Sequence, residues 1–143
     1  MAVEAAYAIN EFLKEKIDVI AAPNSYHFDP GEPAPVGEDD TFITYRWYPN
    51  QDYTQPYIHM DTLIYKVYHT NFDTLARIVE KILTELNQES VYDNPDLAAA
   101  GTGDGIRFLD VIARGSGHSQ NEFIDSTDYH VMGVDILLEY VEL

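Results

Sequence analysis

Apolar residues recur along the chain with two different spacings, and the spacing changes most clearly inside residues 62–86. Residues 62–69 read Thr-Leu-Ile-Tyr-Lys-Val-Tyr-His, which is typical of a strand because β-branched and aromatic side chains dominate. Beyond them, apolar side chains recur every three or four positions and predict an amphipathic helix with one side against a sheet: Leu75, Ile78, Val79, Ile82 and Leu86. The helix is expected to begin at Thr70, which with Asp73 has the form of a capping box, or one residue later at Asn71.

The same two patterns predict a further helix and further strands. The helix is expected at 2–20, where an apolar stripe has helical spacing and a proline follows at position 23. Strands are expected at 41–48, 57–69, 106–114 and 129–143, and a short extended piece near Ser25 would be a fifth. In the last strand one face is apolar and the other carries Asp135 and Glu139, and the apolar set is Met132, Val134, Ile136, Leu138 and Tyr140.

Three polar segments separate these elements. Residues 29–40 hold three prolines, two glycines and five carboxylates, which predicts a mobile loop. Residues 88–105 and 115–128 are predicted to be long loops as well, since glycine and polar residues punctuate both. At 143 residues without an internal repeat, the chain fits a single domain. The order of elements predicts an α+β fold, a mainly antiparallel sheet of four to five strands with two helices packed on one face.

Net charge narrows the range of functions. The chain has 25 acidic against 8 basic side chains, a formal charge of −17, and the acidic residues are spread along its whole length. Tight binding of a phosphate backbone needs clustered lysine and arginine, so gripping nucleic acid is not expected. There is no cysteine, which excludes disulfides, thiolate metal sites and a cysteine nucleophile. No apolar run approaches the roughly 20 residues of a membrane span, so we expect a soluble, unprocessed protein.

Sequence motifs that could indicate metal binding, phosphate binding or catalysis are weak. His59 and Asp61 would share a strand face, but a metal site needs a third ligand that the neighbouring sequence does not supply. The glycine-rich segment 101–105 precedes a strand, whereas a phosphate-binding loop opens a helix. Ser116 and His118 lie close together without the turn motif that exposes a catalytic serine. We therefore predict no catalytic residue, no metal ligand and no cofactor.

Aromatic side chains crowd the two strands predicted in the middle of the chain. A single sheet has one face for its helices, so aromatic residues on both faces indicate contact with another subunit. The candidate interface residues are Tyr45, Trp47, Tyr48, Tyr53, Tyr57 and Tyr68, with Asp135 and Glu139 of the last strand.

The element order, with a strand that runs straight into a helix at 61–83, resembles the tail terminator or tail completion proteins of long-tailed bacteriophages. Neck and head–tail joining proteins are close neighbours of that family, and the resemblance spans nearly the whole chain. It implies a self-associating ring, commonly a hexamer, that caps the tail tube and meets the neck or head-completion proteins, without catalysis. DNA would pass through the lumen without being held, and the protein would be found in the virion after assembly in the host cytoplasm.

Two other classes of function remain open from the residues alone. One is a small acidic binding or inhibitory protein of the DNA-mimic type, whose carboxylates would lie in phosphate-like rows on one face. The other is a small-molecule enzyme of α+β build, which would have a pocket with convergent titratable groups.

Overall fold

The computed structural model describes residues 3–17, 42–51, 57–87, 94–103, 105–124 and 126–143. Its elements, in chain order, are α1 (Val3–Lys16), β1 (Phe42–Gln51), β2 (His59–His69), α2 (Phe72–Leu86), α3 (Pro95–Gly103), β3 (Ile106–Ile124) and β4 (Thr127–Glu142). The predicted α+β class is confirmed. The predicted loop at 29–40 and the extended piece near Ser25 lie outside the described residues. Among the helices described, none has the length and apolarity needed to cross a lipid bilayer.

The four strands form one sheet in the order β1-β2-β4-β3, and every neighbouring pair is antiparallel. The two middle strands, β1 and β2, pair directly, with Tyr45 opposite Tyr65. Tyr65 in turn lies opposite Val134 of β4. The sheet therefore places a strand from the middle of the sequence and the last strand side by side at its centre.

All three described helices contribute to one core on one face of this sheet, which we call the inner face. The predicted stripe of α2 is confirmed, since the same five residues are its buried ones. Alternate residues of β2 and β4 meet them from the sheet, because successive side chains of a strand point to opposite faces. Burying one such aliphatic side chain contributes about 1.5–3 kcal/mol, so this layer supplies most of the stability.

Helix α2 starts in the second of the two predicted registers. The Asn71 side chain accepts a hydrogen bond from the Thr74 N–H at 3.0 Å, which satisfies one of the free N–H groups of the first turn. The N–H of Asn71 itself donates to Nδ1 of His69 at 2.8 Å, so the end of β2 and the start of α2 are joined directly. Side chains of His69 and Asn71 thus hold both ends of this short connection.

At its other end α2 is fastened to the sheet by one amide. The Asn87 side chain donates to the Ala113 carbonyl at 2.5 Å and accepts from the Ala113 N–H at 2.7 Å. Helix α1 has a polar contact of its own, in which the buried Tyr65 hydroxyl donates to the Asn10 side chain. Burial, together with the nearby Tyr45 hydroxyl, raises the pKa of Tyr65 well above its usual value.

The prediction of a long loop at 88–105 is wrong for residues 95–103, which form helix α3, while residues 88–93 lie outside the described residues. Asn94 caps this helix by accepting from the Leu97 N–H at 3.3 Å, and Pro95 occupies the first helical position, where its missing N–H costs nothing. One of the glycines that indicated a loop, Gly101, instead has a role in packing. A Cβ at Gly101 would lie 2.8 Å from Cδ2 of Phe108, so glycine lets α3 approach β3 closely.

The prediction of a long loop at 115–128 is also wrong. Strand β3 continues through this polar segment to Ile124 and pairs with the start of β4, and Ser126 in the connecting turn has φ 67°. The register shifts between Gly115 and Ser119, which is where the ladder accommodates the polar run. The polar composition reflects a hairpin that extends beyond the inner-face core. Strand β1 likewise extends beyond its predicted end at position 48, to Gln51.

Candidate interaction surface

The second face of the sheet, which we call the outer face, is not covered by any helix of the described residues. The strand register arranges its central residues in three rows across the sheet. The first row is Arg46, Ile64, Asp135 and Arg114; the second is Tyr48, Thr62, Leu137 and Ile112; the third contains Met60, Glu139 and Asp110. Neighbours in such a row are close enough for their side chains to interact.

Large apolar side chains in the second and third rows are exposed to solvent. Tyr48 is 43% exposed, Met60 42%, Ile112 44% and Leu137 37%. Single exposed apolar residues are common on soluble proteins, but these four lie in adjacent rows of one face. A contiguous apolar patch with a polar rim marks a contact surface.

The same face carries an unexpected share of positive charge. Four of the eight basic side chains of the chain lie on it: Arg46, Lys66, Arg107 and Arg114. All four are exposed. Lys66 is 3.5 Å from Glu122, while the three guanidinium groups make no ion pair with any residue in the described ranges. Acidic residues interleave with them, so the outer face is close to neutral in a chain of formal charge −17.

The helix side of the molecule is different in charge and in shape. A groove of about 280 Å³ lies between α1 and α3, and its lining residues are Glu11, Phe12, Glu15, Asp96, Ala99 and Ala100. Lys16 of α1 forms a salt bridge with Asp96 of α3, and this contact raises the pKa of Lys16. The groove thus has an apolar floor and an acidic rim.

The interface residues predicted from the sequence do not form one surface; they lie in different parts of the structure. Tyr48, Asp135 and Glu139 lie on the outer face as part of the rows described above. Tyr57 precedes β2 and is 84% exposed. Tyr53 lies outside the described residues. An interface role for these positions stays a prediction.

Tyr45 and Trp47 belong to the inner face, where both are partly buried against the core. The Trp47 indole N–H donates to the Asp61 carboxylate at 3.0 Å, and the Tyr45 ring lies 5.8 Å from the Tyr65 ring, centroid to centroid. Their position at the edge strand of the sheet explains both the partial burial and the partial exposure. Packing within the monomer therefore accounts for much of their aromatic surface.

Tyr68 lies on the outer side but is buried, with 6% of its surface exposed. It forms a small separate cluster with Tyr129 and Val131, and its ring meets that of Tyr129 edge to face at 6.4 Å. Burial, then a hydrogen bond to Glu122 and the charge of that carboxylate, raise the pKa of Tyr68 to about 12. Tyr68 thus closes one end of the outer face and contributes little to its accessible surface.

Asp61 is the one residue of the weak metal motif that the structure buries. Its carboxylate accepts from the Tyr140 hydroxyl at 2.6 Å as well as from Trp47, which joins β1, β2 and β4 through one oxygen. His59 stacks on the Tyr140 ring at 5.1 Å and its Nε2 lies 3.8 Å from Glu142. Within the described ranges no three histidine or carboxylate residues are grouped as a metal site requires. The carboxylate has a structural role, because its partners are neutral donors of the core.

The other weak motifs also have structural places. Residues 101–103 end α3, and Gly105, directly before β3, has a φ of 78°, which glycine adopts without strain. Ser116 and His118 belong to β3 at its irregular register. The sequence patterns did not point to Arg46, Arg107 and Arg114 as surface residues of one face. Their signal was available in retrospect, since basic residues are scarce and these occupy outward positions of strands.

These features define a two-layer α+β protein whose most distinctive surface is an exposed sheet face, not a pocket. A scan of protein-family models gave no match to the sequence, and a search of curated protein sequences gave none either. Among solved structures, the chain is similar to a chain described as "Virion of native gene transfer agent (GTA) particle". The two share 10% identity with a TM-score of 0.54, over 94% of this chain and 92% of the other. At that identity the likeness shows a shared fold.

Proposed function

We propose that the protein is a structural component of a phage-like virion, a tail terminator that assembles into a ring, caps the tail tube and joins it to the neck or head. The observation that carries the proposal is the fold it shares with a chain of a gene transfer agent virion over 94% of its length. The strand-to-helix unit at the centre of that fold is the same feature on which the resemblance to tail terminators rests.

The charge of the chain supports a ring through which DNA travels. A formal charge of −17 repels the phosphate backbone, so DNA in transit would not be retained at the lumen. The outer face, which holds half of the basic residues, is near neutral and is therefore suited to contact between proteins, not to the lumen. The ring would be a hexamer, with the tail tube protein and the neck or head-completion proteins as its other partners.

A DNA mimic fits the outer face less well. Such a protein presents carboxylates at the spacing of phosphates, whereas arginine residues interrupt the carboxylates in the rows of this face. A small-molecule enzyme would use the groove between α1 and α3. The polar residues that line this groove are three carboxylates, and one of them, Asp96, is already engaged in the salt bridge with Lys16.

The proposal is tested by imaging and by loss of the gene. The purified chain at micromolar concentration should form rings in negative-stain electron microscopy and give a hexamer mass by mass photometry. Particles produced without it should carry tail tubes of uncontrolled length, because nothing ends tube growth, and adding the purified chain to isolated tubes should cap one end. A chain that stays monomeric and leaves tube length unchanged would contradict the proposal.

A further inference from the structure

The outer face combines exposed apolar side chains with exposed arginine residues, and an isolated monomer needs neither. Its second and third rows expose Tyr48, Met60, Ile112 and Leu137, and its first row exposes Arg46 and Arg114 at opposite edges of the sheet. Apolar side chains flanked by arginine are the composition of the centre of a protein interface.

Charge determines which surface of a second copy can cover this face. Two helix layers brought together would oppose Glu11, Glu15 and their equivalents, which is repulsive at contact distance. The outer face opposed to a helix layer instead brings the arginine residues to an acidic rim. It also brings an exposed apolar row to the apolar floor formed by Phe12, Ala99 and Ala100.

Packing one outer face on another is less favourable. A two-fold axis along the strands would place Arg46 over the partner subunit's Arg114, because these residues end the same row. A two-fold axis along the rows would pair Arg114 with the partner subunit's Asp110, but it would also place Asp135 over the partner subunit's Glu139. The Arg–Asp attraction and the Asp–Glu repulsion then offset each other. Only burial of the exposed apolar row would favour such a dimer.

We propose that the outer face of each copy docks onto the acidic groove between α1 and α3 of the next copy, and that this head-to-tail contact builds the ring. The inference rests on the proposed function, since it names the surfaces through which that ring closes. A contact between two different patches repeats around an axis and forms a closed ring when the rotation is suitable, whereas a two-fold contact between identical patches stops at a dimer.

Cross-linking tests the contact directly, because the chain has no cysteine of its own. One variant carries Ile112→Cys on the outer face, and a second carries Ala99→Cys on the groove; both positions are exposed. A short bifunctional maleimide should join the two variants when they are mixed and should leave each variant alone largely uncoupled. Efficient coupling of Ile112→Cys to itself would show a two-fold contact and overturn the inference.

Charge reversal provides a second test with a matched control. The variant Arg46→Glu/Arg114→Glu should lose the ring at a concentration where the unmodified chain is fully assembled. The control Arg77→Glu/Lys81→Glu changes net charge equally on exposed residues of α2 and should retain it. Circular dichroism melts of both variants should match the parent, which separates loss of assembly from loss of fold.

Mixing two charge-reversal variants distinguishes a head-to-tail ring from other arrangements. A Glu11→Lys/Glu15→Lys variant should fail to assemble alone, since its groove then presents positive charge to the arginine residues of the outer face. Mixed one to one with Arg46→Glu/Arg114→Glu, it should restore rings of alternating subunits, because every contact is again between opposite charges.

The possible results distinguish the two proposals. If the parent forms rings and caps tubes but the charge variants do so equally well, the ring uses other surfaces and the inference fails while the proposed function stands. If the parent never forms a ring and tube length does not depend on it, the proposed function fails first. Restored rings in the mixture support both.

Discussion

The two faces of the sheet differ in burial and in residue composition. The inner face is a continuous apolar layer beneath three helices, in which Leu63, Val134 and Ile136 are fully buried. The outer face, only one residue away along each strand, mixes arginine, carboxylate and partly exposed apolar side chains. Burial explains the first composition, whereas the second is explained by the contact with another copy that we propose. Stability then depends on one side of the sheet and, under that proposal, assembly depends on the other.

The largest difference in stability between variants of the two faces is expected at adjacent residues of β4. Ile136→Ala should lower the free energy of unfolding by about 2–5 kcal/mol, because a fully buried side chain leaves a cavity. Leu137→Ala removes a similar side chain that is 37% exposed, and should cost about 1 kcal/mol or less while weakening the ring. Urea unfolding of the monomer measures the first effect and mass photometry the second. Equal destabilisation by the two variants would contradict the division of roles.

The next largest effect is expected at Asp61, the polar centre of the inner face. Asp61→Leu removes the acceptor of the Tyr140 hydroxyl and the Trp47 indole, and a buried donor left without a partner costs about 1–3 kcal/mol. Asp61→Asn keeps one acceptor oxygen and should lose less. Urea unfolding followed by Trp47 fluorescence would measure both variants. A stability of Asp61→Leu equal to that of the parent would show that the carboxylate is not needed to hold the three strands together.

A smaller effect, about 1 kcal/mol, is expected at the start of α2. Asn71→Ala removes the side chain that accepts from the Thr74 N–H, and loss of an N-cap costs about that amount. Thr70→Ala is the matched control for the alternative register and should cost less. Thermal unfolding by circular dichroism compares the two variants, and a larger loss for Thr70→Ala would place the helix start one residue earlier.

This contrast also shows what the sequence could predict. Spacing found the strand and helix at 62–86, and alternation found the apolar face of β4, because one-sided burial imposes a period on residue type. Helix α3 and the second half of β3 were missed, since a short helix rich in alanine and glycine and a polar hairpin lack that period. The outer face was missed in part for the same reason. Its mixed composition follows no burial period, and a single chain contains no pattern that records which partner would cover such a face.

The smallest effect is a pH dependence at Tyr68, which closes one end of the outer face. Tyr68 has a folded-state pKa of about 12, above the value near 10 expected when the chain unfolds, so the protonated hydroxyl stabilises the fold. This contribution is complete below pH 10 and declines as the pH rises towards 12, because the unfolded chain releases the proton first. In Tyr68→Phe the group is absent, so the stability difference between parent and variant should shrink from pH 9 to pH 11 in urea titrations. The matched comparison is Tyr7→Phe, which removes the same hydroxyl at a half-exposed position of α1. A difference that stayed constant with pH would mean that Glu122 and burial do not hold the Tyr68 proton in the folded protein.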